Sequence, residues 1–204
     1  MNCVDLEIIP NAEGLAIPGL TYIPDYVNDD EHNQLLDIVD QQPWSIDSIE
    51  KTRKIQQHGY RLDYHKDFLV ASSYLGDLPD WADKLATRFF KEGLTSTALD
   101  QVTVNEYQPG QGVRSHIDCV TCFGKTIFAL SLGGSCVMDF TDSVTKSKAS
   151  ILLSPGSLLV LKAASRYVWQ HSIAPRHKDN YKGREIIRTR RISLTFREIL
   201  FPHK

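Results

Sequence analysis

Hydrophobic and polar positions change rhythm near the middle of the chain. In the first half, apolar residues recur at helical spacing. Leu35, Leu36, Ile38 and Val39 form one face behind Asn28 and Glu31, which stand at capping-box spacing, and Pro43 stops the run. A second helix is predicted from Pro79, with Trp81, Leu85 and Phe89 at i, i+4 and i+8, ending at Gly93. Between them, Trp44 to Tyr74 is polar and rich in aromatics and reads as short strands and loops. After Gly93, eight short β-branched or apolar runs follow: Val102–Tyr107, Val113–Ile117, Thr126–Leu132, Cys136–Phe140, Ser150–Leu153, Ser157–Leu161, Val168–Ile173 and Arg191–Ile199. Gln108-Pro109-Gly110, Gly133-Gly134, Thr141-Asp142-Ser143 and Ser154-Pro155-Gly156 separate several of them, as turn chemistry requires. About eight strands at this spacing predict a double-sheet jelly roll or barrel. The fold class is therefore mainly β with flanking helices (α+β). We read one domain over residues 1–204, with a helical flank to residue 93 and the jelly roll from residue 94.

Composition sharpens this only at the edges. The 204 residues carry a net charge of −2, with 42% hydrophobic and 24% charged residues, which excludes long disorder and a supercharged nucleic-acid tail. No basic leader or membrane-length apolar run is visible, so the chain reads as a cytoplasmic, non-membrane monomer. The cysteines, including the Cys119/Cys122 pair, are expected as plain thiols. The average hides one skewed segment: Arg176–Arg191 holds seven Lys/Arg against Asp179 and Glu185.

His116-Ile117-Asp118 is the most informative triplet. On a strand, positions i and i+2 face the same way. With a second inward histidine, His171, the imidazole and carboxylate would complete a 2-His-1-carboxylate set that leaves metal positions open. Asn105 and Tyr107 offer an amide and a phenol from a strand expected to neighbour the HxD strand. Arg191, Ser193, Thr195 and Arg197 alternate with Ile192, Leu194 and Phe196. One face should enter the core and the other a polar cavity, where polar groups are costly unless a ligand pairs with them. An arginine fork suits a carboxylate. Arg191 and Arg197 would stand about 20 Å apart on an ideal strand, so both can reach one small ligand only if the strand coils.

Together, Asn105-x-Tyr107-x-Pro109-Gly110, His116-x-Asp118, His171 and Arg191-x5-Arg197 resemble the AlkB family of Fe(II)/2-oxoglutarate dioxygenases. Val137–Phe140, Ser157–Val160 and Ser165–His171 are most similar to its eukaryotic tRNA wobble-uridine hydroxylase branch. That protein also carries an RNA-recognition module and a methyltransferase domain, and this chain is too short for either. The resemblance implies Fe(II) on His116, Asp118 and His171, and 2-oxoglutarate held by Asn105, Tyr107, Arg191 and Ser193. Arg197 would lie near its metal-bound end. It implies O2 as co-substrate, release of succinate and carbon dioxide, and demethylation or hydroxylation of an alkyl group on a nucleic-acid base.

One position departs from the founding repair enzyme of the family, where an acidic residue two places past the HxD contacts the base. Val120 stands there, and a valine side chain cannot accept a hydrogen bond from an exocyclic amine. Substrate contacts are expected from Lys51–Tyr64, the family's nucleotide-lid region, with Arg53, Tyr60 and Tyr64 as candidates beside a plain edge hairpin. A phosphate contact is expected from Arg176–Arg191. The partner would be single-stranded or flipped-base RNA or DNA. Two other readings stand beside it: an oxidation of a protein side chain or small molecule, and a catalytically silent scaffold.

Overall fold

The computed structural model describes residues 16–47, 53–62 and 73–200, with thirteen strands and three helices among them. The larger sheet contains β1 (Leu20–Ile23), β2 (Ser45–Ile46), β3 (Lys54–His58), β4 (Gln101–Tyr107), β6 (Ile127–Gly133), β9 (Leu158–Leu161) and β13 (Arg191–Arg197). Their order is β1-β9-β6-β13-β4-β3-β2. The smaller sheet runs β5 (Val113–His116), β10 (Trp169–Ile173), β7 (Cys136–Asp142), β8 (Lys148–Leu153). The pairs within both sheets are antiparallel, and the eight runs expected for the jelly roll are all strands.

Period-two alternation assigns each side chain of the larger sheet to one of two layers. On one face, Phe128, Leu130, Leu132, Leu158, Val160, Ile192, Leu194 and Phe196 meet the helices α1 (Asp29–Asp40) and α2 (Asp80–Lys91). The other face carries Ile127, Ala129, Leu159 and Leu161, which pack with Met138, Phe140 and Ile151 of the smaller sheet. Asn28 caps α1, its side chain accepting from the Glu31 N–H at 2.9 Å, and Leu35 and Val39 are buried beneath it. Trp81, Leu85 and Phe89 of α2 are buried as their spacing requires. Phe89 stacks on Phe128 at 4.5 Å between ring centres and meets Phe196 edge-on at 5.4 Å. The helices thus hold one face of β13 rigid, leaving its other face free for chemistry. Among the described residues, no helix is long and apolar enough to cross a membrane.

Four elements went unpredicted, β1 among them. A single-turn helix, α3 (Ala163–Tyr167), precedes β10, and β11 (Lys178–Tyr181) pairs with β12 (Arg184–Ile187) as a separate hairpin. That hairpin lies in the basic segment, where charge masks the strand pattern.

Candidate active site

β10 lies between β5 and β7, and its register sets His171 opposite both His116 and Phe140. The two imidazole centres are 4.4 Å apart. The β5–β10 register shifts between His171 and Ile173, an irregularity that re-aims side chains at a sheet edge. The sequence pattern placed His116 and Asp118 on one strand. Instead β5 ends at His116, and Asp118 enters the site from the loop that follows.

His116, Asp118 and His171 bring potential ligand atoms within 4.8 Å of one another. The His116 Nδ1 lies 2.8 Å from the Arg114 carbonyl. A carbonyl can only accept, so Nδ1 carries the proton and Nε2 offers its lone pair. That Nε2 faces Asp118 Oδ1 at 3.3 Å. Two acceptors this close require a cation between them, a proton or a metal ion, and an outer hydrogen bond of this kind fixes a ligating imidazole. This donor set fits Fe(II).

Charge is arranged to match. Burial pushes the Asp118 carboxyl up, but the Arg197 cation and the His116 hydrogen bond overcome it and hold it well below the usual carboxylate range. Burial and the neighbouring His116, Arg197 and Arg166 push His171 down to about 4, leaving it a neutral donor at neutral pH. Burial pulls His116 down, and Asp118 more than reverses this.

The polar face of β13 lines the same cavity, of about 630 Å³. Its register with β4 pairs Arg191 with Tyr107 and Ser193 with Asn105, so the four candidate 2-oxoglutarate residues form one cross-strand patch. β4 therefore belongs to the sheet across the cavity from the histidines and does not neighbour β5, as the sequence pattern had suggested. Arg197 marks the metal end: its Nε is 3.3 Å from Asp118 Oδ2, and its Nη1 reaches Gln101 and Thr103, each at 3.2 Å. Arg191 marks the other end at 2% exposure, with Nη2 donating to Ser131 Oγ at 2.9 Å. Its Nε and Nη1 are buried and have no hydrogen-bond partner among the described residues. Unpaired buried donors are costly, and a carboxylate satisfies both at once. This orphaned fork is where 2-oxoglutarate fits.

Sequence reasoning missed several supporting residues. Arg166, 2% exposed, donates to the carbonyls of Asp118, Cys119, Phe123 and Gly124 and so clasps the loop that carries Asp118. Ser131 was detectable as the polar break in the apolar run Ile127–Leu132. Cys119 and Cys122 are joined as a disulfide, which corrects the plain-thiol expectation. The turn after Asp118 brings their Cα atoms to 5.3 Å, within bonding reach.

The basic segment is also corrected. Arg176 and Arg188 both bind the buried Asp179, Lys178 pairs with Glu185, and Arg190 pairs with Asp40 and Glu106. With Arg191 turned inward, most of the expected phosphate-binding charge is committed to the protein, leaving Lys182 and Arg184 at the exposed hairpin tip. Of the three substrate candidates, Arg53 is buried against Asp47 and Tyr107. Tyr60 bridges to Tyr74, their rings 5.1 Å apart, and packs near Cys122 and Phe123. Tyr64 lies outside the described residues. Val120 stands half exposed on the cavity wall.

A jelly roll with two histidines and a carboxylate at one end of a cavity, and an orphaned arginine at the other, defines a metal- and 2-oxoacid-dependent oxygenase. Comparison with known proteins agrees. Residues 19–197 match the family model described as the 2OG-Fe(II) oxygenase superfamily. The chain is 36% identical to the "Alkylated DNA repair protein ALKBH8 homolog" of Arabidopsis thaliana, over 97% of this chain and 62% of that protein. It is 34% identical to the "tRNA (carboxymethyluridine(34)-5-O)-methyltransferase alkbh8" of Xenopus tropicalis, over 79% of this chain and 26% of that protein. The chain thus spans less than two thirds of either relative. The solved structure of OsALKBH1 shares the fold, with TM-score 0.69 at 15% identity over 95% of this chain and 99% of that one. The chain belongs to the 2OG-Fe(II) oxygenase superfamily, in its AlkB family, and is an Fe(II)- and 2-oxoglutarate-dependent oxidoreductase.

Proposed function

We propose that this enzyme oxidises an alkyl group on a base of RNA or DNA, presented single-stranded or flipped from a duplex. The observation that carries the reading is one cavity with the His116, Asp118 and His171 set at one end and the orphaned Arg191 fork at the other. The nucleic-acid part is supported by relatives named for alkylated-DNA repair and tRNA modification. His116, Asp118 and His171 would hold Fe(II). Arg191, Tyr107, Asn105 and Ser193 would bind 2-oxoglutarate. Bound together, metal and cosubstrate supply O2 activation, with release of succinate and carbon dioxide.

The chain's own residues do the rest. Arg197 keeps the Asp118 carboxylate ionised and oriented, and Arg166 fixes the loop from which it projects. Leu62, Val120, Cys122 and Phe123 give part of the cavity an apolar wall that excludes water and can receive the flat face of a base. With Val120 in place of an acid, that wall does not select an exocyclic amine by hydrogen bonding.

The test is succinate release from 2-oxoglutarate with Fe(II), ascorbate and a panel of RNA and DNA oligonucleotides, beside peptides and small molecules. Nucleic acid should stimulate turnover, and His171→Ala should abolish it. Stimulation by peptides or small molecules alone would overturn the substrate class while leaving the enzyme class in place.

A further inference from the structure

Arg53 precedes β3 by one residue, on the face it shares with Ile55. Because Ile55 pairs with Asn105, period-two spacing sets Arg53 beside Tyr107. The side chains meet as this register demands. Arg53 Nη1 donates to the Tyr107 hydroxyl at 2.9 Å, and its Cζ lies 5.3 Å from the centre of that ring. Its Nε donates to Asp47 Oδ2 at 3.0 Å, and Nη2 also reaches that carboxylate. Arg191 Cζ lies 5.4 Å from the same Tyr107 ring centre.

A guanidinium has donors and no acceptor, so the Tyr107 oxygen accepts from Arg53 and must send its own hydrogen elsewhere. Asp47, 1% exposed, offsets the charge of Arg53, so among the described residues this end of the cavity keeps the positive charge of Arg191. One carboxylate matches it. That carboxylate can take the two orphaned Arg191 donors and the Tyr107 hydrogen together.

We propose that Arg53, anchored by Asp47, is a positioning residue for the cosubstrate: it turns the Tyr107 hydroxyl toward the distal carboxylate of 2-oxoglutarate. This rests on the reading that Arg191 and Tyr107 receive that carboxylate. Arg53 thereby leaves the set of nucleic-acid contacts, and the β2–β3 flank becomes part of the cosubstrate site.

The experiment is isothermal titration calorimetry of the Mn(II)-loaded protein with 2-oxoglutarate and with 2-oxopentanoate, which has the same chain without the distal carboxylate. Arg53→Gln should weaken 2-oxoglutarate binding about tenfold and leave 2-oxopentanoate unchanged, the size of one well-placed hydrogen bond. In a Tyr107→Phe background the same change should add nothing, since the two residues act as one unit. Equal weakening of both ligands, or full additivity with Tyr107→Phe, would overturn the positioning role. Arg53→Lys serves if the glutamine variant does not fold. A lysine amine cannot hold Asp47 and Tyr107 in the same fork geometry, so a loss confined to 2-oxoglutarate is again expected. Arg191→Met separates the two levels. If it leaves 2-oxoglutarate affinity intact, the cosubstrate placement itself is wrong and the proposal falls with it.

Discussion

Replacing Arg191 by methionine keeps most of the stem's volume and removes the charge from a position that is 2% exposed. The metal-loaded protein should lose cosubstrate affinity. Two charge-assisted hydrogen bonds, from the orphaned Nε and Nη1, contribute about 1.5–3 kcal/mol each, so binding should weaken by roughly 10²- to 10⁴-fold. The ligand-free protein should respond far less. Two unsatisfied buried donors cost about 1–3 kcal/mol each, whereas the lost Ser131 bond, from a charged donor, stabilises by about 1.5–3 kcal/mol and the contact with Tyr107 by about 1 kcal/mol. The two nearly cancel, so the variant should be about as stable as the parent when no ligand is bound. Thermal melts with and without 2-oxoglutarate check both halves. At about 100 times the parent's Kd the parent gains about 2.7 kcal/mol, a shift of several degrees in a domain of this size, and Arg191→Met gains at most about 0.4 kcal/mol at the same concentration. A variant that loses several kcal/mol without ligand yet binds 2-oxoglutarate like the parent would refute the reasoning.

Other consequences can be checked separately. His171→Ala should lose metal uptake in a titration and reduce succinate formation to background, with the fold retained by circular dichroism. Asp179→Asn should cost about 3–5 kcal/mol in denaturant unfolding, because it leaves Arg188, 5% exposed, buried without its counter-charge. Burial pushes the Asp179 carboxyl up, but hydrogen bonds from Arg188, the Val137 N–H and Arg176 outweigh this and hold it below its ordinary value. A depressed native pKa stabilises above the unfolded value near 4 and ceases to as pH falls through the native one. The parent should lose more stability than Asp179→Asn across that acid window. Phe89→Ala should cost about 3–5 kcal/mol through the cavity left against Phe128 and Phe196, with 2-oxoglutarate affinity unchanged.

Where the pattern was local, the sequence already carried the structure. The β13 alternation placed Ile192, Leu194 and Phe196 in the core and the four polar residues in the cavity, as observed. Both long helices and the eight jelly-roll strands were legible for a local reason: each is a run of helical period, or of β-branched and apolar residues between turn signals. What failed depended on partners distant in sequence. Nothing near Arg190 announces Asp40 as its partner, 150 residues away, so the basic segment looked like a free phosphate surface when most of its cations are paired within the protein. The sheet assignment of Asn105 and Tyr107 depends on which strand β13 pairs with, and alternation is silent on that. Asp118 reached the histidines although its strand ends early, because the loop and the Arg166 clasp supply what strand geometry was expected to supply.

Mass spectrometry of nucleosides tests the central claim most directly. RNA and DNA would be digested before and after incubation with enzyme, Fe(II), 2-oxoglutarate and O2, beside a His171→Ala control. The account predicts one modified nucleoside that gains an oxygen or loses a methyl group, in proportion to succinate formed, and no change with the control. Succinate formed with nucleic acid present while every nucleoside stays unchanged would contradict it.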